Sequence, residues 1–352
     1  MRMRTVYDPL YLAYHLIKTD YRQMARFVTY TSKKLETSRL RVIADCLASS
    51  WRYEMSPSDY FQLRIFEKDR TERARWAGTT FMYKAQSRLN TDGVKGIFRN
   101  KERFARRFGQ FMDHRRVTLP SPLEVDRLTD WLTEEEITRF VTKPSSGQCG
   151  IDVEVHDVEW EGGEPLIGGM SPLRFLEERT GARIAEAWIE NHEALRRINP
   201  SCLNTLRLVT HAPPGGEVTV MAARMRFGRG GAVDNLAAGG IAAPVDLHTG
   251  VISGPAVSSS PLEGIFFESH PISGEPIVGS RVPHWEASLR LATAAAAVLP
   301  GARSIGWDIA ITREGPLLLE GNDNWCKILW QLPVGTGLRT ELEQYLTAEA
   351  GG

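Results

Sequence analysis

No apolar run in the chain approaches the roughly 18 residues that a membrane-spanning helix needs, so no membrane partner is expected. Net charge is also lacking. The 43 Lys and Arg residues balance 43 Asp and Glu, and a chain without a global field has no long-range preference for nucleic acid. Cysteine is scarce: Cys46, Cys149, Cys202 and Cys326 form no C-x-x-C pair, which excludes a zinc ribbon or a redox dithiol and leaves buried free thiols in a reducing compartment. Met1-Arg2-Met3-Arg4 has the charge of a signal n-region. Asp8, His15, Lys18 and Asp20 break the apolar run that would have to follow, so the expected location is cytoplasmic. There is no internal repeat, no low-complexity linker and no Gly-Lys-Ser/Thr phosphate loop leading into a helix.

What is present is enough for two or three packed units, because 352 residues exceed one ordinary core. Residues 1–75 are predicted helical. Tyr11, Leu12, Tyr14, His15 and Leu16 begin an apolar stripe, and Met24, Phe27 and Val28 continue it at helical spacing. Ser56-Pro57-Ser58-Asp59 carries a helix-start signal. Arg2, Arg4, Lys18, Arg22, Arg26, Lys33, Lys34 and Arg39 make this region basic, either as a solvated face or as a partner surface. A second basic helix is predicted from Asn100 to about Phe111, with Phe104 and Phe108 on one face. The intervening region, 76–139, is predicted helical as well. From Phe140 onward, short β-branched strands alternate with Gly and Pro turns. They divide into a first α+β unit over 140–189 and a second over 190–340, with 341–352 as a tail. The Leu173 to Gly181 segment is expected to be helical, and so is Trp285 to Leu299.

Three segments carry chemistry. The strand 304–311 holds Asp308, and the strand after the Gly315 turn ends in Glu320-Gly321-Asn322. Glu320 and Asn322 are two apart and point the same way. Two carboxylates and an amide oxygen make an all-oxygen set that suits a hard cation, Mg²⁺ above all; strand ends that are merely polar give the same pattern. The second segment is Phe140 to Pro144 followed by Ser145-Ser146-Gly147-Gln148-Cys149-Gly150. Lys143 and a small-residue turn supply a mobile charge and backbone N–H groups for phosphates, although a plain hairpin has the same composition. The third is Ala185-Glu186-Ala187-Trp188-Ile189 running into polar residues up to Glu193. A strand edge of this kind offers backbone groups to an adenine ring, and Glu193 a carboxylate to ribose hydroxyls.

In this order the segments resemble the ATP-grasp superfamily: Lys101 before the lid, Lys143 with Ser146 and Gly147 in the lid, Glu186, Trp188, Ile189 and Glu193 around the interdomain hinge, and Asp308, Glu320 and Asn322 as metal ligands. The resemblance covers roughly residues 95–335. Asn204 to Thr210, Arg224 to Gly228, Val233 to Leu236 with Gly239-Gly240, His270-Pro271, Gly306-Trp307-Asp308 and Glu320 to Asn324 look most like the sugar-transfer-associated group. A more distant likeness is to α-L-glutamate ligases. Gln148 and Cys149 depart from the family, standing where glycines are commoner.

The resemblance implies an α+β fold of two subdomains that clasp ATP, 140–189 being the lid, with an N-terminal helical extension. It implies ATP and Mg²⁺, or Mn²⁺, as cofactors. The reaction implied is ligation of a small-molecule carboxylate to an amine, such as an amino acid or peptide, through an acylphosphate. Arg226 would stabilise charge at the reacting centre and Arg207 would hold a substrate carboxylate, unless either is a strand-edge ion pair; Asn235 would contact the nucleophile or shape its turn. His270 is read as a base or a structural loop histidine, and Trp307, Trp325 and Trp330 as core. A phosphotransferase acting on a hydroxyl or sugar, and a nucleotide-binding protein without turnover, are the alternatives. A homodimer is the default assembly for a soluble enzyme of this size.

Overall fold

The computed structural model describes residues 17, 20–113, 115–119, 124–144, 153–179, 183–231, 233–262 and 266–348. The apolar stripe 11–16 and the turn residues 145–152, with Ser146, Gly147 and Cys149, lie outside them.

Residues 21–108 form helices only, and their sequence starts most of them. Asp20 accepts from the backbone N–H of Arg22 and Gln23 at the start of Tyr21–Lys34, and Ser38 accepts from Arg41 at the start of Arg39–Tyr53. Ser56 and Asp59 form a reciprocal capping box before Pro57–Gln62, as the Ser-Pro-Ser-Asp signal predicts. Asp69 and Glu72 do the same for Arg70–Arg75. Three further helices follow, Thr79–Leu89, Asp92–Phe98 and Lys101–Phe108, the last capped by Asn100.

A five-stranded antiparallel sheet comes next: β1 (Arg116–Leu119), β2 (Arg139–Pro144), β3 (Glu154–Glu161), β4 (Glu164–Ile167) and β5 (Arg183–Ala187), in the order β1-β5-β2-β3-β4. The first α+β unit therefore begins before residue 140, because β1 and the helix Val125–Glu134 belong to it. Alternation splits the sheet into two faces. Val117, Phe140, Ala185 and Ala187 pack on one side against Leu128, Trp131 and Phe175 of the helices Val125–Glu134 and Pro172–Glu177. Val141, Lys143, Ile184 and Glu186 occupy the other. The latter helix ends at Glu177, short of Gly181, which is outside the described residues.

The second sheet has seven strands in the order β10-β9-β8-β7-β6-β11-β12. They are β6 (Thr205–His211), β7 (Thr219–Phe227), β8 (Ile241–Pro244), β9 (Ala256–Val257), β10 (Phe266–Phe267), β11 (Ser304–Ile311) and β12 (Pro316–Asn322). Its apolar face, with Leu206, Leu208, Met225, Ile305, Trp307 and Ile309, is covered by the helix Trp285–Ala297 and by Phe104 and Phe108. Fully burying each such side chain is worth about 1.5–3 kcal/mol. Trp325 and Trp330 are buried on the opposite side, in one cluster with Phe81, Met82 and Val209. Residues 341–348 are not a tail. The helix Arg339–Ala348 buries Leu342 and Leu346 in that same cluster, because its apolar residues recur at i, i+4.

Candidate active site

The charged residues of the second sheet come from adjacent strands in register. Asp308 on β11 lies opposite Glu320 on β12 and opposite Arg207 on β6, and Arg207 lies opposite Arg224 on β7. This row, with Thr205, Arg226 and Asn322 two residues away along their strands, makes a polar face that alternates with the apolar one. A bulge sets part of the register. Ile309 pairs with Leu318 while Asp308 pairs with Glu320, so Leu319 is an extra residue. Regular pairing continued from Ile309 and Leu318 would set Asp308 opposite Leu319 instead.

Two glycines give the hairpin its room, Gly306 on this polar face and Gly321 on the apolar one. A Cβ on Gly306 would stand 2.7 Å from the Trp325 Cβ and 3.2 Å from the Arg207 Cδ. On Gly321 it would stand 2.8 Å from Phe98 and 2.9 Å from Trp307. The middle residue of Glu320-Gly321-Asn322 is therefore small because an aromatic pair lies beneath it.

Asp308 is buried and heavily partnered. Arg207 donates from Nε and Nη2 at 2.6 and 2.7 Å, and Arg226 donates from Nη1 at 3.2 Å. Burial opposes ionisation of Asp308, but the two guanidinium groups outweigh it and hold the carboxyl below its ordinary range. The Glu320 carboxyl is pushed up, by withdrawal from bulk water and by the Asp308 charge. Its outer edge remains exposed, and the Asp308 carboxylate directly across the hairpin opposes its ionisation. Asn322 donates from Nδ2 to Asp308 Oδ2 at 3.3 Å and to Glu320 Oε1 at 3.4 Å. Turning that amide over presents Oδ1 instead.

The expected substrate role of Arg207 does not survive this geometry, because its bidentate edge is occupied by Asp308 within the protein. Arg226 also ion-pairs with Asp234 at 2.7 Å, and its charge is held by Asp234 and Asp308 against the cost of burial. Asp234 is structural: it accepts from the backbone N–H of Thr205 as well. Asn235 caps the short turn Leu236–Ala238, accepting from the Ala237 N–H at 3.0 Å. His270 is buried and bonded through Nε2 to the Gly228 carbonyl at 2.8 Å, the structural form of its two readings.

The first sheet contributes the opposing charges. Lys143 on β2 ion-pairs with Glu186 on β5 at 2.5 Å. Glu186, expected at a nucleoside edge, is thus the partner of Lys143. Lys101 donates to the Pro144 carbonyl at 2.7 Å. Burial, and then the charge of Lys143, lower its pKa, while Glu320 and Glu186 work the other way. Lys101, Lys143, Glu186 and Glu320 are therefore electrostatic neighbours drawn from a helix and both sheets. Trp188 lies just beyond β5 under the Arg139 guanidinium, 4.6 Å from it. Ile189 follows, half-buried, and Glu193 is the exposed first residue of the helix Glu193–Ile198.

Sequence reasoning missed the buried amides that hold this connection. Asn191 Oδ1 accepts from the Asn204 N–H at 2.7 Å, and its Nδ2 donates to the Asn204 carbonyl at 2.9 Å. Asn199 donates to Asn204 Oδ1 at 2.8 Å. Three asparagines in a loop read as turn formers, and only burial shows them as a staple between the 188–193 segment and β6. The thiol expectation holds for Cys46 and Cys202, which are buried; Cys326 is exposed.

The oxygen donors of Asp308, Glu320 and Asn322 are of the kind a hard cation takes. Among the described residues no group of three or more His, Cys, Asp or Glu side chains could hold a metal, so these residues form no acidic cage. Two facing carboxylates and an amide remain, one carboxyl raised by the other's charge, beside two lysines. That chemistry fits a cation that shares its shell with phosphate oxygens, Glu320 presenting the open edge.

A family model for sugar-transfer associated ATP-grasp proteins matches residues 170–346. The chain belongs to this family. In this ATP-grasp protein the matched region runs from just before the helix Pro172–Glu177 through β12 to the C-terminal helix. No curated protein matches the chain at a significant level. Among solved structures it is similar to a D-cycloserine synthetase, at 14% identity and a TM-score of 0.43 over 84% of this chain and 82% of that one. It is similar to a D-alanine–D-alanine ligase from Bacillus anthracis at 13% and 0.43, over 77% of each chain. An N5-carboxyaminoimidazole ribonucleotide synthetase from Thermotoga maritima shows 14% and 0.36 over 65% of this chain, which spans only 42% of that protein's length.

Proposed function

We propose that the protein is an ATP-dependent carboxylate–amine ligase. The observation that carries this reading is the meeting of Lys101, Lys143 and Glu186 with Asp308, Glu320 and Asn322 on an ATP-grasp chain. Lys143, kept in place by Glu186, and Lys101 would neutralise nucleotide phosphates. Glu320, Asn322 and the outer edge of Asp308 would hold Mg²⁺ or Mn²⁺, which supplies charge neutralisation at the transferring phosphoryl group. Ser146 and Gly147 would supply backbone N–H groups to the phosphates, and Trp188, Ile189 and Glu193 would edge the nucleoside.

The reaction we infer has two steps. A substrate carboxylate oxygen attacks the γ-phosphorus, the bond to the β–γ bridging oxygen breaks, and ADP leaves. An amine then attacks the acyl carbon of the acylphosphate, and phosphate leaves as the nitrogen gives up its proton. Arg226 lies on the cleft face nearest the Asn235 to Gly240 loop and would carry charge on the acyl or phosphoryl oxygens. Arg207 acts one step back, by holding Asp308. Positioning of this kind does most of the work in phosphoryl transfer.

The test is ADP release across pools of small carboxylates, with and without amines. ADP that needs both partners supports the ligase. ADP formed with sugars or alcohols and no amine makes it a phosphotransferase.

A further inference from the structure

We propose that Asn90, which ends the helix Thr79–Leu89 ahead of the first sheet, is a positioning residue for the cation site, so that these helices are part of the catalytic scaffold. The proposal rests on the ligase reading of the cleft. The hairpin of β11 and β12 is tied at one end by the turn at Gly315. Its other end, where Gly306 faces Asn322, has no turn to hold it. Asn90 is fully buried there. Its Nδ2 donates to the Ser304 carbonyl at 2.8 Å and to the Asp323 carbonyl at 2.9 Å, and its Oδ1 accepts from the Ser304 N–H at 3.0 Å. One side-chain amide thus clamps the start of β11 to the residue after Asn322. Only an amide has both a donor pair and an acceptor for this.

The clamp is not alone. Beyond Asn322 the chain is gripped repeatedly by residues 59–86. Gln86 donates to the Trp325 carbonyl at 2.8 Å. Asp59, itself fixed by its capping box, ion-pairs with Lys327 at 3.0 Å. Gln331 exchanges hydrogen bonds with the backbone of Ala77 at 2.8 and 3.0 Å. On the other side Arg303 donates to the Arg88 and Leu89 carbonyls at the end of the Thr79–Leu89 helix, at 2.8 and 3.1 Å. A hairpin end held by so many bonds to residues 59–90 has little freedom to splay. The separation of Asp308 from Asn322 depends on that end, because both lie within four residues of the clamp.

Asn90→Asp keeps the acceptor and turns a carboxylate oxygen toward two carbonyls. The experiment titrates Mn²⁺ by electron paramagnetic resonance against full-length protein with the β,γ-imido analogue of ATP, and separately measures binding of that analogue in EDTA. Asn90→Asp is expected to weaken Mn²⁺ binding about tenfold or more and to leave binding in EDTA unchanged. Ile277→Ala, a core change in the second unit, lowers stability without moving Mn²⁺ affinity. Unchanged Mn²⁺ affinity in folded Asn90→Asp overturns the proposal. If that variant does not fold, Gln86→Met decides: weakened Mn²⁺ binding supports the clamp, and unchanged binding overturns it. Wild-type protein that takes up no Mn²⁺ with the nucleotide overturns the ligase reading itself, and the clamp's role with it.

Discussion

Arg207 and Asp308 face each other across β6 and β11, 101 residues apart in sequence, and meet through two hydrogen bonds of 2.6 and 2.7 Å. Both are almost wholly buried. Removing one partner leaves the other charge uncompensated, which costs about 3–5 kcal/mol. Arg207→Leu should therefore destabilise the protein by about that much, softened by Arg226. The double variant Arg207→Leu, Asp308→Leu should cost less than the sum of its parts. Urea unfolding of the four proteins measures this, and additive losses would show that the pair is not coupled.

Gly306→Ala places a methyl group 2.7 Å from the Trp325 Cβ and close to the Arg207 stem. Overpacking of this kind costs about 1–3 kcal/mol. The variant should unfold at lower denaturant than wild type, and one as stable as wild type would contradict the close packing described.

His156 ties the first sheet to acid stability. It packs between Phe140 and Phe175, at 5.0 and 4.8 Å, and bonds to Thr142 Oγ1 at 2.9 Å. Burial and then the charge of Arg179 push it down to about 4 from 6.5. Between those values the unfolded chain binds a proton that the folded one refuses, so stability falls as pH drops from about 6.5 to about 4. His156→Phe should flatten that slope in thermal unfolding followed against pH. An unchanged slope would assign the effect to other groups.

ATP should raise the melting temperature more with Mg²⁺ or Mn²⁺ present than in EDTA, by linkage worth about 2.7 kcal/mol at a hundredfold excess over Kd. An equal shift in a chelator would contradict the cation site.

The strands that build the site are legible in the sequence because each alternates or runs apolar between turn residues. Ser304–Ile311 is read residue for residue, and Asp308 with Glu320 and Asn322 falls on one face as their spacing predicts. The bulge at Leu319 is not legible: it depends on what packs below Gly321. Nor is the capture of Arg207, since a bidentate arginine looks the same in sequence whether it meets a substrate or an aspartate far along the chain. The N-terminal helices show their caps, but Asn90 and Gln86 read there as ordinary polar residues. Their partners are backbone carbonyls more than 200 residues away, which no local pattern encodes.

The central claim is tested most directly by ADP release from wild-type protein, Lys143→Met and Glu320→Gln, supplied with Mg-ATP, carboxylate pools and amines. The account predicts ADP from wild type only when carboxylate and amine are both present, and none from either folded variant. Normal turnover by both variants, or wild-type release that ignores the amine, would contradict it.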